Sequence, residues 1–352
     1  MKIGKNSIKV TSMPSFSCLV KPTTRTLGAA RAGALAAAFV AAVSLPMPFH
    51  AAHAQSYPSK PIRLVLPMTV GGITDILARV IADPMEKDLG QPIIIISRPG
   101  AGTVIGVDYV AKAAPDGYTL LLSGDAGVIN TASGRPLPYD LMKDLVPISG
   151  VYSGAQLLMV NKDSRFKSLQ DLVMYAKANP GRLKFGSTGI GNSTHLSAES
   201  FNQAAGIQAV HVPYKGGAAP FTDLMGGHID YMILGSTAAI PAIKDGSLRG
   251  LAIMSKDRTP LLPDLPTAVE QGVNVQTSGW YGLYTTAGTP PETVKKLHAS
   301  LTKALHSKAV QDRFVSVGGQ AMSMTPEQFL AFLQAEIQKQ SVLIKRLGIK
   351  LE

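Results

Sequence analysis

Two rhythms of apolar and polar residues alternate along the chain. Short unbroken apolar runs, bounded by Gly, Pro, Asn or Ser, predict buried strands at 62–67, 93–96, 119–122, 157–160, 184–186, 209–212, 231–234 and 251–254. Between them, apolar residues return at helical spacing. Leu77, Val80, Ile81, Met85 and Leu89 do so ahead of Gly90, with Thr74 in the N-cap position and Pro84 placed to kink the helix. Further helices are predicted over 104–113, from a Ser168-to-Asp171 capping box to Asn179, and over 196–205 before Gly206. Two more start at Thr289-Pro290 and at Thr325-Pro326-Glu327, the latter running to Gly348. Strand and helix alternate, so the chain reads as parallel βαβ units in two α/β lobes with no linker between them.

Composition changes this picture at the N-terminus. The 352 residues carry a formal charge of +11. Six of the basic residues, and none of the acidic ones, fall in 1–54, which leaves 28 basic against 23 acidic in the remainder. That remainder has no basic run interleaved with aromatics, so nucleic acid is not an expected partner. The n-region ends at Arg31, an apolar stretch covers 32–48, and Ala52-His53-Ala54 forms an A-x-A site before Gln55. This is the pattern of a cleaved export signal over 1–54 and implies an exported protein, the alternative being an uncleaved membrane anchor. The one cysteine, Cys18, lies inside it. The mature chain therefore has no disulfide, thiol nucleophile or cysteine metal site.

Two loops share one physical design. Gly71-Gly72-Ile73-Thr74-Asp75 and Gly186-Ser187-Thr188-Gly189-Ile190-Gly191-Asn192-Ser193-Thr194-His195 each join a strand to a helix start. Glycines bring backbone N–H groups close to a ligand, hydroxyls add donors, and the helix end adds a positive dipole. Such loops favour carboxylate or phosphate; the bland alternative is two ordinary βα turns, and the charge of Asp75 already suits its helix end. Gly100-Ala101-Gly102-Thr103-Val104-Ile105-Gly106 has the wrong spacing for a dinucleotide fingerprint. No G-x-S-x-G, H-E-x-x-H or Walker loop occurs, so no catalytic residue, metal or cofactor is expected. His195 is read as orienting the second loop, His298 and His306 as solvated helix-face residues, and Trp280 and Tyr281 as either cleft wall or core.

These segments together resemble a known family, the substrate-binding proteins of tripartite tricarboxylate transporters (TctC or Bug). The resemblance rests on Tyr57-Pro58-Ser59-Lys60-Pro61-Ile62-Arg63, Arg98-Pro99-Gly100-Ala101-Gly102 and Ala114-Pro115-Asp116-Gly117-Tyr118-Thr119-Leu120. It continues in Leu137-Pro138-Tyr139-Asp140, Tyr175-Ala176-Lys177-Ala178-Asn179-Pro180-Gly181, His211-Val212-Pro213-Tyr214-Lys215-Gly216 and Leu262-Pro263-Asp264-Leu265-Pro266-Thr267. It implies a two-lobed periplasmic-binding-protein type II fold, each lobe a mixed sheet flanked by helices. Lobe 1 would comprise 55–155 plus 276–352, and lobe 2 residues 156–275.

The resemblance also implies a small organic carboxylate held between the lobes. Its contacts would be Gly71, Gly72, Ile73, Thr74 and Asp75 from one loop, and Ser187, Thr188, Gly189, Asn192, Ser193, Thr194 and His195 from the other. The partners it implies are integral membrane transporter subunits, with the receptor itself a monomer. A receptor feeding a membrane signalling system is the alternative. Two positions depart from the family pattern. Ile73 stands where a third glycine is usual, and Leu234-Gly235 replaces an Asp-Asn pair. Without an acid at 234, simple carboxylates are expected to bind better than α-amino acids, unless Asp125 or Asp223 reaches the cleft.

Overall fold

The computed structural model describes residues 57–214 and 218–349. The export segment, with Cys18 and the Ala52-His53-Ala54 site, lies outside the described residues, as do Lys215 and Gly216 of the sequence motifs. In chain order the elements are β1 (Ile62–Leu66), α1 (Ile73–Leu89), β2 (Ile93–Ser97), a 3-10 turn (Ala101–Thr103), α2 (Val104–Ala111), β3 (Thr119–Gly124), α3 (Asp125–Ala132), β4 (Leu145–Asn161), α4 (Leu169–Ala178), β5 (Leu183–Ser187), α5 (Ser193–Ala205), β6 (Ala209–Pro213), α6 (Ala218–Met225), β7 (Tyr231–Gly235), α7 (Ser236–Lys244), β8 (Leu248–Ile253), β9 (Ser278–Thr286), α8 (Pro291–His306), α9 (Lys308–Ser316), β10 (Gly319–Ala321) and α10 (Pro326–Leu347).

The strands run in the order β2-β1-β3-β9-β4-β7-β5-β6. On one side β2, β1 and β3 are parallel, and β9 runs antiparallel to β3. On the other side β6, β5 and β7 are parallel, and β7 is antiparallel to β4. The long β4 serves both. Its residues 145–155 pair with β9, and its residues 156–161 pair with β7 and β8. Each half carries apolar layers on both faces. In the first half, Leu77, Ile81 and Met85 of α1 meet Leu297, Leu301 and Leu305 of α8 over β1 and β3, and the opposite face holds Val107, Trp280, Tyr284 and Phe329. In the second, Leu172, Phe185, Phe201 and Tyr231 fill one face and Met159, Leu224, Met232 and Ile240 the other. Each fully buried Leu, Ile or Phe contributes roughly 1.5–3 kcal/mol.

Three local readings change. Helix α1 begins one residue before Thr74; its N-cap is Gly72, with no side-chain cap, and Thr74 is buried. Helix α5 begins at Ser193 rather than 196, because Asn192 caps it by accepting from the His195 N–H at 3.1 Å. His298 is half-buried, its Nε2 3.0 Å from the Met324 carbonyl, whereas His306 is exposed. The glycine run at 100–106 has a packing reason. A Cβ on Gly106 would lie 2.7 Å from the Arg98 carbonyl and from Pro67 Cα, so glycine lets α2 cross close over these backbones.

Candidate functional site

Four strand-to-helix steps end at one cavity of about 170 Å³. Ile73 reaches it from the start of α1, Asp125 from α3, Ser193 and Thr194 from α5, and Ser236 and Thr237 from α7. Tyr152, Gly154, Ala155 and Gln156 of β4, Gly235 of β7, and Gly279, Trp280 and Tyr281 of β9 complete the wall. A helix start offers N–H groups without intrahelical partners and the positive end of the dipole. At α1, α3 and α7 the N-cap is glycine with no side-chain cap. These three helix starts lack an N-cap acceptor of their own, and an anion in the cavity can serve them. A larger hollow of about 410 Å³ shares only Gly154 and Ala155 with this one, and none of its lining residues belongs to the first turn of a helix.

The first loop contributes mainly shape. Of its five candidate residues only Ile73 lies on the wall. Asp75 turns inward to the loop, where Oδ2 accepts from the Gly71 N–H at 3.3 Å and from Arg79 Nε at 3.2 Å. Gly71 and Gly72 are exposed. Thr74 is buried and hydrogen-bonded to the Tyr281 side chain.

The second loop is closed on itself. Ser193 and Thr194 line the cavity; Ser187, Thr188, Gly189, Asn192 and His195 stand behind them. Thr194 Oγ1 donates to Asn192 Oδ1 at 2.8 Å. Its proton so committed, it accepts from the Thr188 N–H at 2.9 Å and meets the Thr188 hydroxyl at 3.1 Å. Asn192 Nδ2 donates to Thr188 Oγ1 at 2.6 Å. Buried His195 accepts the Gly191 N–H on Nδ1 at 2.9 Å, which orients the loop. Its ring stacks 3.7 Å from that of His211, whose Nε2 lies 2.7 Å from Ser187 Oγ. Burial, and then the neighbouring His211, pushes His195 down to about 4, and burial lowers His211 as well. Both imidazoles are therefore neutral at pH 7.

Sequence reading missed the wall residues Tyr152, Gln156, Ser236 and Thr237 as site residues, and raised Asp125 only as an alternative acid for the cleft. The signal available was the one used elsewhere: Ser123-Gly124 and Gly235-Ser236 also follow apolar runs and open helices. Burial raises the Asp125 carboxyl to about 6, against the lowering effect of the Ser193 hydroxyl and the Ala126 N–H, and Glu336 adds a further upward push. Burial, with the Asp125 charge second, lifts the Tyr281 phenol above its ordinary range. Trp280 fills both of its expected roles: it is buried edge-on against Phe329 and Phe332 and also walls the cavity. Leu234 is off the wall, and Asp223 accepts from Tyr214 Oη at 2.6 Å. Asp125 is thus the acid that reaches the cavity.

The profile of the tripartite tricarboxylate transporter family receptors matches residues 77–349. The chain belongs to this family. BugT of Bordetella pertussis is 36% identical over 317 residues, which cover 89% of this chain and 96% of BugT. Among solved structures, R. palustris Rpa4515 with adipate superposes with a TM-score of 0.74 at 33% identity, covering 83% of this chain and 99% of that one. MatC from Rhodopseudomonas palustris with bound malate gives 0.71 at 30% identity, covering 82% and 100%. The family's fold is the two-lobed, periplasmic-binding-protein type II arrangement, and the mixed sheet described above, flanked by helices in both halves, is that fold.

Proposed function

We propose that this family member is a periplasmic receptor that captures a small organic carboxylate in the cavity and delivers it to integral membrane subunits of a tripartite transporter. The observation that carries the reading is the convergence of four helix starts, three with glycine N-caps, on one cavity. Adipate and malate in two relatives support carboxylate as the ligand class. No helix among the described residues is long and apolar enough to cross a membrane, and the export pattern at 1–54 supports a periplasmic site of action. The residues behind the wall, Ser187, Thr188, Gly189 and Asn192 in one loop and Gly71, Gly72, Thr74 and Asp75 in the other, hold the loops in shape. The role is binding without turnover.

A thermal-shift screen of mono-, di- and tricarboxylates tests it. The cognate acid should raise the melting temperature and be recovered unchanged, while its neutral amide should not. An equal response to acid and amide would overturn the anion assignment.

A further inference from the structure

The cavity prepared for an anion has an acid on its wall. Among the described residues lining it, Asp125 is the one charged side chain. No lysine, arginine or histidine pairs with it among the described residues, and its hydrogen-bonding neighbours are the Ser193 hydroxyl and the Ala126 N–H. From α10, Glu336 adds charge of the same sign. From β9, Tyr281 presents a neutral phenol. Lys339 shares a small adjoining hollow with Asp125, but its ammonium is bonded to Glu336 at 3.4 Å. Every group around Asp125 is thus neutral, negative or already paired. A carboxylate drawn to the helix starts would meet repulsion from this side chain unless the ligand brought its own positive charge.

We infer that Asp125 selects acids that also carry a protonated amine, pairing with the ammonium while the helix starts hold the carboxylate. This rests on the carboxylate-receptor reading above and narrows it to amino acids and related zwitterions. It also reverses the preference expected from Leu234 alone. The missing acid of that segment is replaced by one from the opposite half of the sheet, where β3 turns into α3.

The test is titration calorimetry at pH 7.5 on wild type, Asp125→Asn and Asp125→Ser. The probes are three pairs that differ by one amine: succinate and aspartate, glutarate and glutamate, butyrate and 4-aminobutyrate. In at least one pair the amine-bearing member should bind wild type ten-fold or more tightly, and both substitutions should bring the ratio to near one or invert it. The two variants differ in size, and their ligand-free melting curves report whether either is misfolded. A wild-type preference for the amine-free members throughout overturns the inference, as does a ratio that survives both substitutions. The first would leave the carboxylate reading standing. Silence from all six acids would count against that reading itself.

Discussion

His195 and Thr188 stand behind the cavity without lining it. His195 is neutral in the fold, with its pKa lowered to about 4 by burial and by His211; in the unfolded chain it titrates near 6.5. Between those values the unfolded state binds the extra proton. The stability from the neutral ring is complete above pH 6.5 and is lost as pH falls toward 4. Asp125 and Glu199, raised by burial, act in the opposite sense over part of this range, so the imidazole's share is read as a difference. His195→Ala should cost about 1–3 kcal/mol at pH 7, where the Gly191 N–H loses its acceptor, and clearly less at pH 4.5. Equal costs in urea melts at the two pH values would show that the ring is not held neutral. Thr188→Val removes the acceptor of the Asn192 amide and the hydroxyl contact with Thr194. It should weaken carboxylate binding by ~1–2 kcal/mol with little change in fold; calorimetry finding unchanged affinity would separate the loop's hydroxyls from binding.

Elements differed in how plainly they could be read. The parallel strands and the longer helices were legible because continuous apolar runs, caps and glycine stops coincide, as at Ser168–Asp171 and Gly206. Strands β4 and β9 were not. In β4 only 157–160 reads as a strand, because Pro147, Ser149, Gly150, Ser153 and Gly154 interrupt the rest. In β9 the pattern is broken by Gly279 and Gly282. The short helices α3, α6, α7 and α9 give too few turns for a period to emerge. The site was legible as a pair of loops, yet half of its helix starts were among those missed. Of the two glycines that hide β9, Gly282 serves packing: a Cβ there would lie 2.0 Å from Phe329 Cζ, whereas one on Gly279 would meet nothing within 4 Å. That ring is buried against Trp280. Gly282→Ala should therefore force Phe329 aside and destabilise the fold by ~1–3 kcal/mol, seen as a lower denaturation midpoint. An unchanged midpoint would mean that the ring has room to move.

At the scale of the whole molecule, the halves of the sheet meet where β4 changes partners, between Ala155 and Gln156. Gly154, Ala155 and Gln156 line the cavity at that point, and the chain returns through Thr277 and Ser278 into β9. Few strand segments cross there, and a ligand that bonds to α1 and α3 from one side and α5 and α7 from the other gains contacts only when both approach it. Hinge closure around 155/156 and 276/277 is the expected response. It is also the expected use of lobe boundaries at 55–155 plus 276–352 and at 156–275. The absence of cysteine beyond residue 54 makes the measurement clean. Lys87 on α1 and Lys184 on β5 are both exposed; as a Lys87→Cys, Lys184→Cys pair they take two spin labels without background. Pulsed dipolar spectroscopy should show a broad or two-peaked distance distribution without ligand. With a saturating carboxylate it should narrow to a single population, and Thr188→Val should need more ligand to reach it. The same distribution with and without a bound carboxylate would remove closure from the mechanism, and the cavity would then fill from a rigid, preformed state.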